Sequence, residues 1–202
     1  MKALYYEKPL RINASICQKP YPICKDHDVI IKIMSCSICH GVECDHEVEG
    51  GSGCSKYPLI PGHEFAGYVH EIGKKVTTCK VGDRVTADNV VTCGTCYYCK
   101  KGDFIHCPNK KNLGNADDGG FAEFTRVNES KIVKIPDHVS FNEACMSEPV
   151  ACCMHSMDQM NMKYGDDVLI LGAGPMGNIL AQLAVHSNAN NVVVVASSQK
   201  KL

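Results

Sequence analysis

The sequence has no surplus of charge of either sign. Its 21 basic and 22 acidic residues leave a formal net charge of −1 over 202 residues. No global basic field therefore points to nucleic acid or to an anionic membrane. No apolar run approaches the roughly 20 residues that a membrane-spanning helix needs. The opening residues, Met1-Lys2-Ala3-Leu4-Tyr5-Tyr6-Glu7, lack the apolar centre of an export signal. A soluble, cytoplasmic protein is expected, long enough to bury a sizeable core in one large domain or two small ones.

What the chain has in excess is cysteine, 14 in all. A disulfide framework belongs to small exported domains, and this composition is that of an ordinary globular protein. Metal ligation plus free buried thiols is the better reading. Cys17, Cys24, Cys36, Cys54, Cys79 and Cys145 show no ligand spacing and are expected as small core hydrophobes.

The most specific pattern is Cys93-Gly94-Thr95-Cys96-Tyr97-Tyr98-Cys99, followed by Cys107. Two successive C-x-x-C steps put three thiolates on a tight loop, and the fourth returns after seven intervening residues. Four thiolates close a tetrahedron around zinc with no vacancy, which makes the site structural. An iron–sulfur cluster also takes four cysteines, but this spacing is not a ferredoxin pattern. Lys100, Lys101, Lys110 and Lys111 flank the lobe, either offsetting the anionic centre or simply solvated.

A second constellation centres on Pro61-Gly62-His63-Glu64-Phe65-Ala66-Gly67. His63 and Glu64 offer an imidazole nitrogen and a carboxylate oxygen, a pairing suited to zinc. Cys39 precedes them and Glu148 follows. Three protein ligands with one open position is the catalytic zinc arrangement.

Short strands are expected at Lys2–Tyr6, Val29–Met34, Phe65–Ile72 and Val81–Val85, broken by Gly and Pro turns. They suggest a compact β barrel or sandwich over residues 1–150. Residues Glu43 to Ser55, acidic and Gly-rich, read as an exposed excursion. After Pro149 a helix is expected over Val150–Met160. The apolar run Val168-Leu169-Ile170-Leu171 then leads into Gly172-Ala173-Gly174-Pro175-Met176-Gly177, a helix, and the strand Val192–Val195. Strand, glycine turn, helix and second strand is the context for dinucleotide binding, with the helix N-terminus facing a pyrophosphate. Residues 151–202 thus read as the start of a dinucleotide-binding domain.

Taken together these motifs resemble the zinc-dependent medium-chain dehydrogenase/reductase family, in its sorbitol (polyol) dehydrogenase branch. The resemblance rests on Gly62-His63-Glu64 with Gly67 and Gly73, Val81-Gly82-Asp83-Arg84-Val85 and the four lobe cysteines. Gly119-Gly120-Phe121-Ala122-Glu123-Phe124, Glu148-Pro149 and Gly172–Gly177 complete it. It implies a mixed α/β chain, a GroES-like catalytic domain followed by a Rossmann domain. It also implies two zinc ions, hydride transfer from a secondary or sugar alcohol to NAD(P), and a homo-oligomer, dimer or tetramer, at full length. Carried over, Cys39 and His63 become catalytic zinc ligands and Glu64 the third ligand of the polyol branch. Glu148 then stands beside the metal, able to exchange with it or bind its water. Cys152 and Cys153 offer an alternative ligand in a shifted alignment.

Three departures qualify the likeness. Gly41 stands where the family carries a relay Ser or Thr, so His40, His46 or a water chain must move the proton. The second Rossmann strand ends in Val195-Ala196-Ser197-Ser198-Gln199-Lys200-Lys201, without the acid that holds ribose hydroxyls in NAD enzymes. Ser197, Ser198 and Lys201, with Gly172, Gly174, Pro175, Met176 and Gly177, are therefore the cofactor candidates, and NADP is preferred over NAD. The chain also stops at Leu202, with two of the roughly six strands of a doubly wound sheet. A piece of a longer enzyme with exposed apolar strands is expected. The alternatives are an inactive zinc-binding unit, a secondary-alcohol dehydrogenase or a sugar-phosphate dehydrogenase.

Overall fold

The computed structural model describes residues 1–7, 14–43 and 57–198. Cys54, His46, Lys201 and most of the Glu43–Ser55 excursion lie outside the described residues. The chain divides into two compact units, Met1–Met146 and Ser147–Leu202.

In the first unit, β1 (Lys2–Tyr6) and β2 (Ala14–Gln18) pair as an antiparallel ribbon. Next come β3 (Asp28–Ser37) and the single helical turn α1 (His40–Glu43). β4 (Glu64–Ile72), β5 (Arg84–Ala87), β8 (Phe124–Asn128) and β9 (Ile132–Lys134) join β3 in a five-stranded antiparallel sheet ordered β8-β3-β4-β5-β9. Between them, β6 (Val90–Val91) and β7 (Lys111–Asn112) pair at the root of a lobe holding α2 (Tyr97–Lys100). The short α3 (Phe141–Ala144) closes the unit, begun by a capping box between Ser140 and Glu143. Val81 and Gly82 stand in the turn before β5, so the strand expected at Val81–Val85 starts later. Gly82 needs a left-handed φ of 89° there, which a strand cannot supply.

Alternation fixes the core. Val29, Ile31, Phe65, Val69, Val85 and Val127 come from four adjacent strands and share one buried face. Cys79 is buried against that cluster, and Cys145 is buried with Ala66 and Ala144 in a second one. Cys17, Cys24 and Cys36 are half-buried.

In the second unit, α4 (Ser147–Met160) starts before Pro149 rather than after it. Proline is tolerated there because first-turn N–H groups have no intrahelical partner to lose. β10 (Asp167–Leu171), α5 (Pro175–His186) and β11 (Asn191–Val195) make a parallel βαβ unit, with Asp167 opposite Asn191 and Leu171 opposite Val195. Ile170 is buried beneath α5. Leu169, Leu171, Val193 and Val195, on the other face of the two strands, are exposed. Among the described residues no helix is long and apolar enough to cross a membrane.

Candidate metal and dinucleotide sites

The four lobe cysteines converge. Their sulfurs stand 3.4 Å apart for Cys96 and Cys99, 3.6 Å for Cys93 and Cys107, and 3.9 Å for Cys93 and Cys99. Metal–sulfur bonds near 2.3 Å in a tetrahedron require about 3.8 Å between sulfurs. The donor set therefore fits zinc. Cys96 sits at the N-cap of α2 and its sulfur accepts the Cys99 N–H at 3.5 Å, which folds the loop back on itself. Hydrogen bonds from the Thr95 and Cys96 N–H groups hold the Cys93 thiol down at about 5. Burial, aided by the Cys96 hydrogen bond, pushes Cys99 up to about 11. Metal entry must displace that proton.

Three of the flanking lysines have partners other than the cysteines. Lys101 lies on the Tyr97 ring, 5.1 Å from its centre, Lys110 donates to the Ile105 carbonyl at 2.7 Å, and Lys111 stands 3.4 Å from Asp117.

The second cluster is made by strand pairing. β3 and β4 are antiparallel, with Ser37 opposite Glu64 and Cys36 opposite Phe65. The end of β3 therefore meets the start of β4. Cys39 follows one and His63 precedes the other, so residues 24 apart in sequence arrive at one place. Gly62 makes the approach, at φ 93°, and a Cβ there would stand 2.8 Å from the Phe121 nitrogen. The Gly119-Gly120-Phe121 segment braces this turn. Gly119 N–H donates to the Ile60 carbonyl at 2.7 Å, Gly120 N–H to Gly62 at 2.7 Å and Phe121 N–H to Pro61 at 2.9 Å.

Sequence reasoning missed a member of this cluster. Glu43, expected at the head of an exposed excursion, is 4 % exposed. The turn α1 carries it back over Cys39, whose N–H it accepts on Oε2 at 2.8 Å. Its other oxygen lies 3.1 Å from His63 Nδ1. The available signal was the i, i+4 spacing from Cys39, which is one helical turn. Ligand atoms of Cys39, Glu43 and His63 all lie within 4.8 Å of one another. A carboxylate only accepts, so the Nδ1 partnership puts the proton on Nδ1 and leaves Nε2 basic. His63 Nε2 is 3.9 Å from Glu64 Oε1, and Glu64 is itself 4 % exposed. Cys39, His63 and the carboxylates beside the imidazole offer sulfur, nitrogen and oxygen donors of the kinds zinc takes. His40 is exposed at the start of α1, and Gly41 brings no hydroxyl.

Glu148 lies in the first turn of α4, in the second unit, with the Cys152 thiol 3.7 Å from its Oε1. Cys153, fully buried, donates to the Met176 carbonyl at 3.6 Å. That placement gives it a packing role within the unit.

In the glycine turn, Gly172 sits at φ 122° and Gly174 is the N-cap of α5, with Pro175 in the first turn. A Cβ on Gly172 or Gly174 would meet nothing within 4 Å, whereas one on Gly177 would overlap the Gly172 carbonyl. The turn is thus close-packed inside and open outside, where a pyrophosphate would lie against the α5 N-terminus. Strands β10 and β11 are parallel and in register, so Ser197 and Ser198, both exposed, leave the sheet on the same side as this turn.

Comparison with known proteins places these features. The family model of the alcohol dehydrogenase GroES-like domain matches residues 25–137. D-arabinitol dehydrogenase 1 of Uromyces fabae is 36 % identical over 202 residues, all of this chain and 56 % of that protein. A zinc-binding dehydrogenase candidate from Sinorhizobium meliloti 1021, solved with NADP, superposes with a TM-score of 0.89 at 32 % identity. The match covers 99 % of this chain and 57 % of that one. A short chain alcohol dehydrogenase of Escherichia coli CFT073, solved with NADH, gives 0.88 at 33 % identity over 100 % of this chain and 58 % of that one. The chain spans about half the length of the curated relatives it matches.

Proposed function

Because this chain belongs to the alcohol dehydrogenase GroES-like domain family, we propose that it carries the metal-site half of a zinc-dependent, NAD(P)-linked dehydrogenase acting on a polyol or secondary alcohol. The observation that carries the reading is the Cys39–Glu43–His63 cluster, in which Glu43 and His63 are buried, with Glu64 on the Nε2 side of the imidazole. Zinc held there would act as a Lewis acid, of the kind that lowers the pKa of bound water to about 7.

The chain's own residues have distinct tasks. Cys39 and His63 hold the ion, and Glu64 supplies the third ligand. Glu43 pins the Cys39 backbone and keeps the Nδ1 proton of His63 in place. With Gly41 lacking a hydroxyl, the substrate proton leaves through His40, His46 or water. The lobe of Cys93, Cys96, Cys99 and Cys107 holds a second, structural zinc. Residues from Ser147 onward begin the dinucleotide-binding domain, with the Gly172–Gly177 turn at the pyrophosphate. NADP is the preferred cofactor. Ser197 and Ser198 are neutral donors at the end of β11, where a carboxylate would repel a 2′-phosphate.

Metal analysis of the purified chain tests this. Two zinc ions per chain are expected, Cys39→Ser should lose one and Cys107→Ser the other. Retention of both by Cys39→Ser would overturn the catalytic-site assignment.

A further inference from the structure

We propose that Ser37 is the positioning residue for Glu64, and that its hydroxyl sets how that carboxylate meets the metal. The proposal rests on the zinc-site reading above and adds a residue to it. Ser37 ends β3 directly opposite Glu64 at the start of β4, and its Oγ donates to Glu64 Oε2. The same hydroxyl reaches the Glu64 carbonyl oxygen only at 3.5 Å, so the side-chain oxygen is its main acceptor.

The consequence is a division of labour between the two carboxylate oxygens. Oε2 is engaged by Ser37, while Oε1 is the atom turned towards His63 Nε2, at 3.9 Å. A nitrogen and an oxygen bound to one tetrahedral zinc at 2.0–2.1 Å lie roughly 3.3 Å apart. The observed pair is about 0.6 Å wider than that, with Glu64 tethered by one oxygen and presenting the other on the Nε2 side of the imidazole. Ligating carboxylates are generally held by such outer hydrogen bonds, and loss of one typically costs 10–100-fold in metal affinity. Glu64 is 4 % exposed, so water offers little replacement for the lost donor.

The test measures zinc affinity of the full chain by chelator competition, with the Co2+ d–d spectrum as the signature of the ligand set. Ser37→Ala should weaken one of the two metal sites about 10–100-fold and alter its Co2+ spectrum. Ser37→Thr, which keeps the hydroxyl, should restore both. Glu64→Gln should lose at least as much affinity as Ser37→Ala. Adding Ser37→Ala to Glu64→Gln should then cost less than about twofold more, since the pair acts as a unit. Wild-type affinity and spectrum in Ser37→Ala would overturn the proposal. So would wild-type affinity in Glu64→Gln, which decides the matter even should Ser37→Ala not fold. Failure of Cys39→Ser to lose a metal is a separate outcome and would remove the underlying reading instead.

Discussion

Replacing Glu43 by glutamine changes one oxygen to an amide and little else in shape, yet should disable the neighbouring histidine. The carboxylate accepts twice, from the Cys39 N–H at 2.8 Å on Oε2 and from His63 Nδ1 at 3.1 Å on Oε1. Glutamine has one accepting oxygen and two donor hydrogens on its nitrogen. The backbone N–H of Cys39 cannot change its role, so the oxygen must stay with it. The amide nitrogen then faces Nδ1 and demands an acceptor. His63 must move its proton to Nε2, the nitrogen on the Glu64 side, and a protonated Nε2 cannot ligate. Loss of such a partner costs 10–100-fold in metal affinity, or about 1.4–2.8 kcal/mol at 1.4 kcal/mol per tenfold. Because both groups are buried, the metal-free chain should also lose about 1–2 kcal/mol of stability. Nitrogen-edited NMR of the histidine ring reads the tautomer, and chelator competition reads the affinity. An Nδ1-protonated His63 with wild-type zinc affinity in Glu43→Gln would refute the argument.

Two further outcomes are expected. Glu129 is held below the ordinary carboxylate range by His27, 2.7 Å from its Oε1, and next by the Thr77 and Thr78 N–H groups. A folded pKa below the unfolded value of about 4.5 stabilises above that pH and is lost as pH falls through the folded value. Glu129→Gln should therefore be less stable than wild type by denaturant titration near neutral pH and equal to it in acid; a gap that persists in acid would refute the link. Gly177→Ala should force its methyl into the Gly172 carbonyl and cost about 1–3 kcal/mol locally. Faster amide exchange across β10 and α5 would record it, and unchanged protection would contradict it.

The cysteine lobe was legible because its four cysteines are close in sequence. The C-x-x-C steps nearly fix the sulfur positions whatever the rest of the chain does. The glycine turn before α5 was legible for the same reason: strand, turn and helix are contiguous, and each glycine answers a local steric demand. The boundaries that slipped did so where a turn competes with a strand, as at Val81 and Gly82, or where a first-turn proline was read as a stop, as at Pro149.

The His63 site is different in kind. Cys39, His63 and Glu64 could be named from residue type and family likeness, but nothing in the sequence says that Ser37 faces Glu64. Nor does it say that Glu43, assigned to a solvated excursion, is buried against the imidazole. Those facts depend on the register of β3 against β4, including the irregularity between Ile33 and Ser35 that shifts every later pair by one residue. In a pairing of period two, such a shift decides which side chains share a face. By itself the sequence determined the candidate donor residues, the four-cysteine lobe and the glycine turn, all set by neighbours along the chain. Only the tertiary structure decided which carboxylate orients His63 and which hydroxyl holds Glu64, because those partners lie 20 and 27 residues apart and meet through an antiparallel sheet.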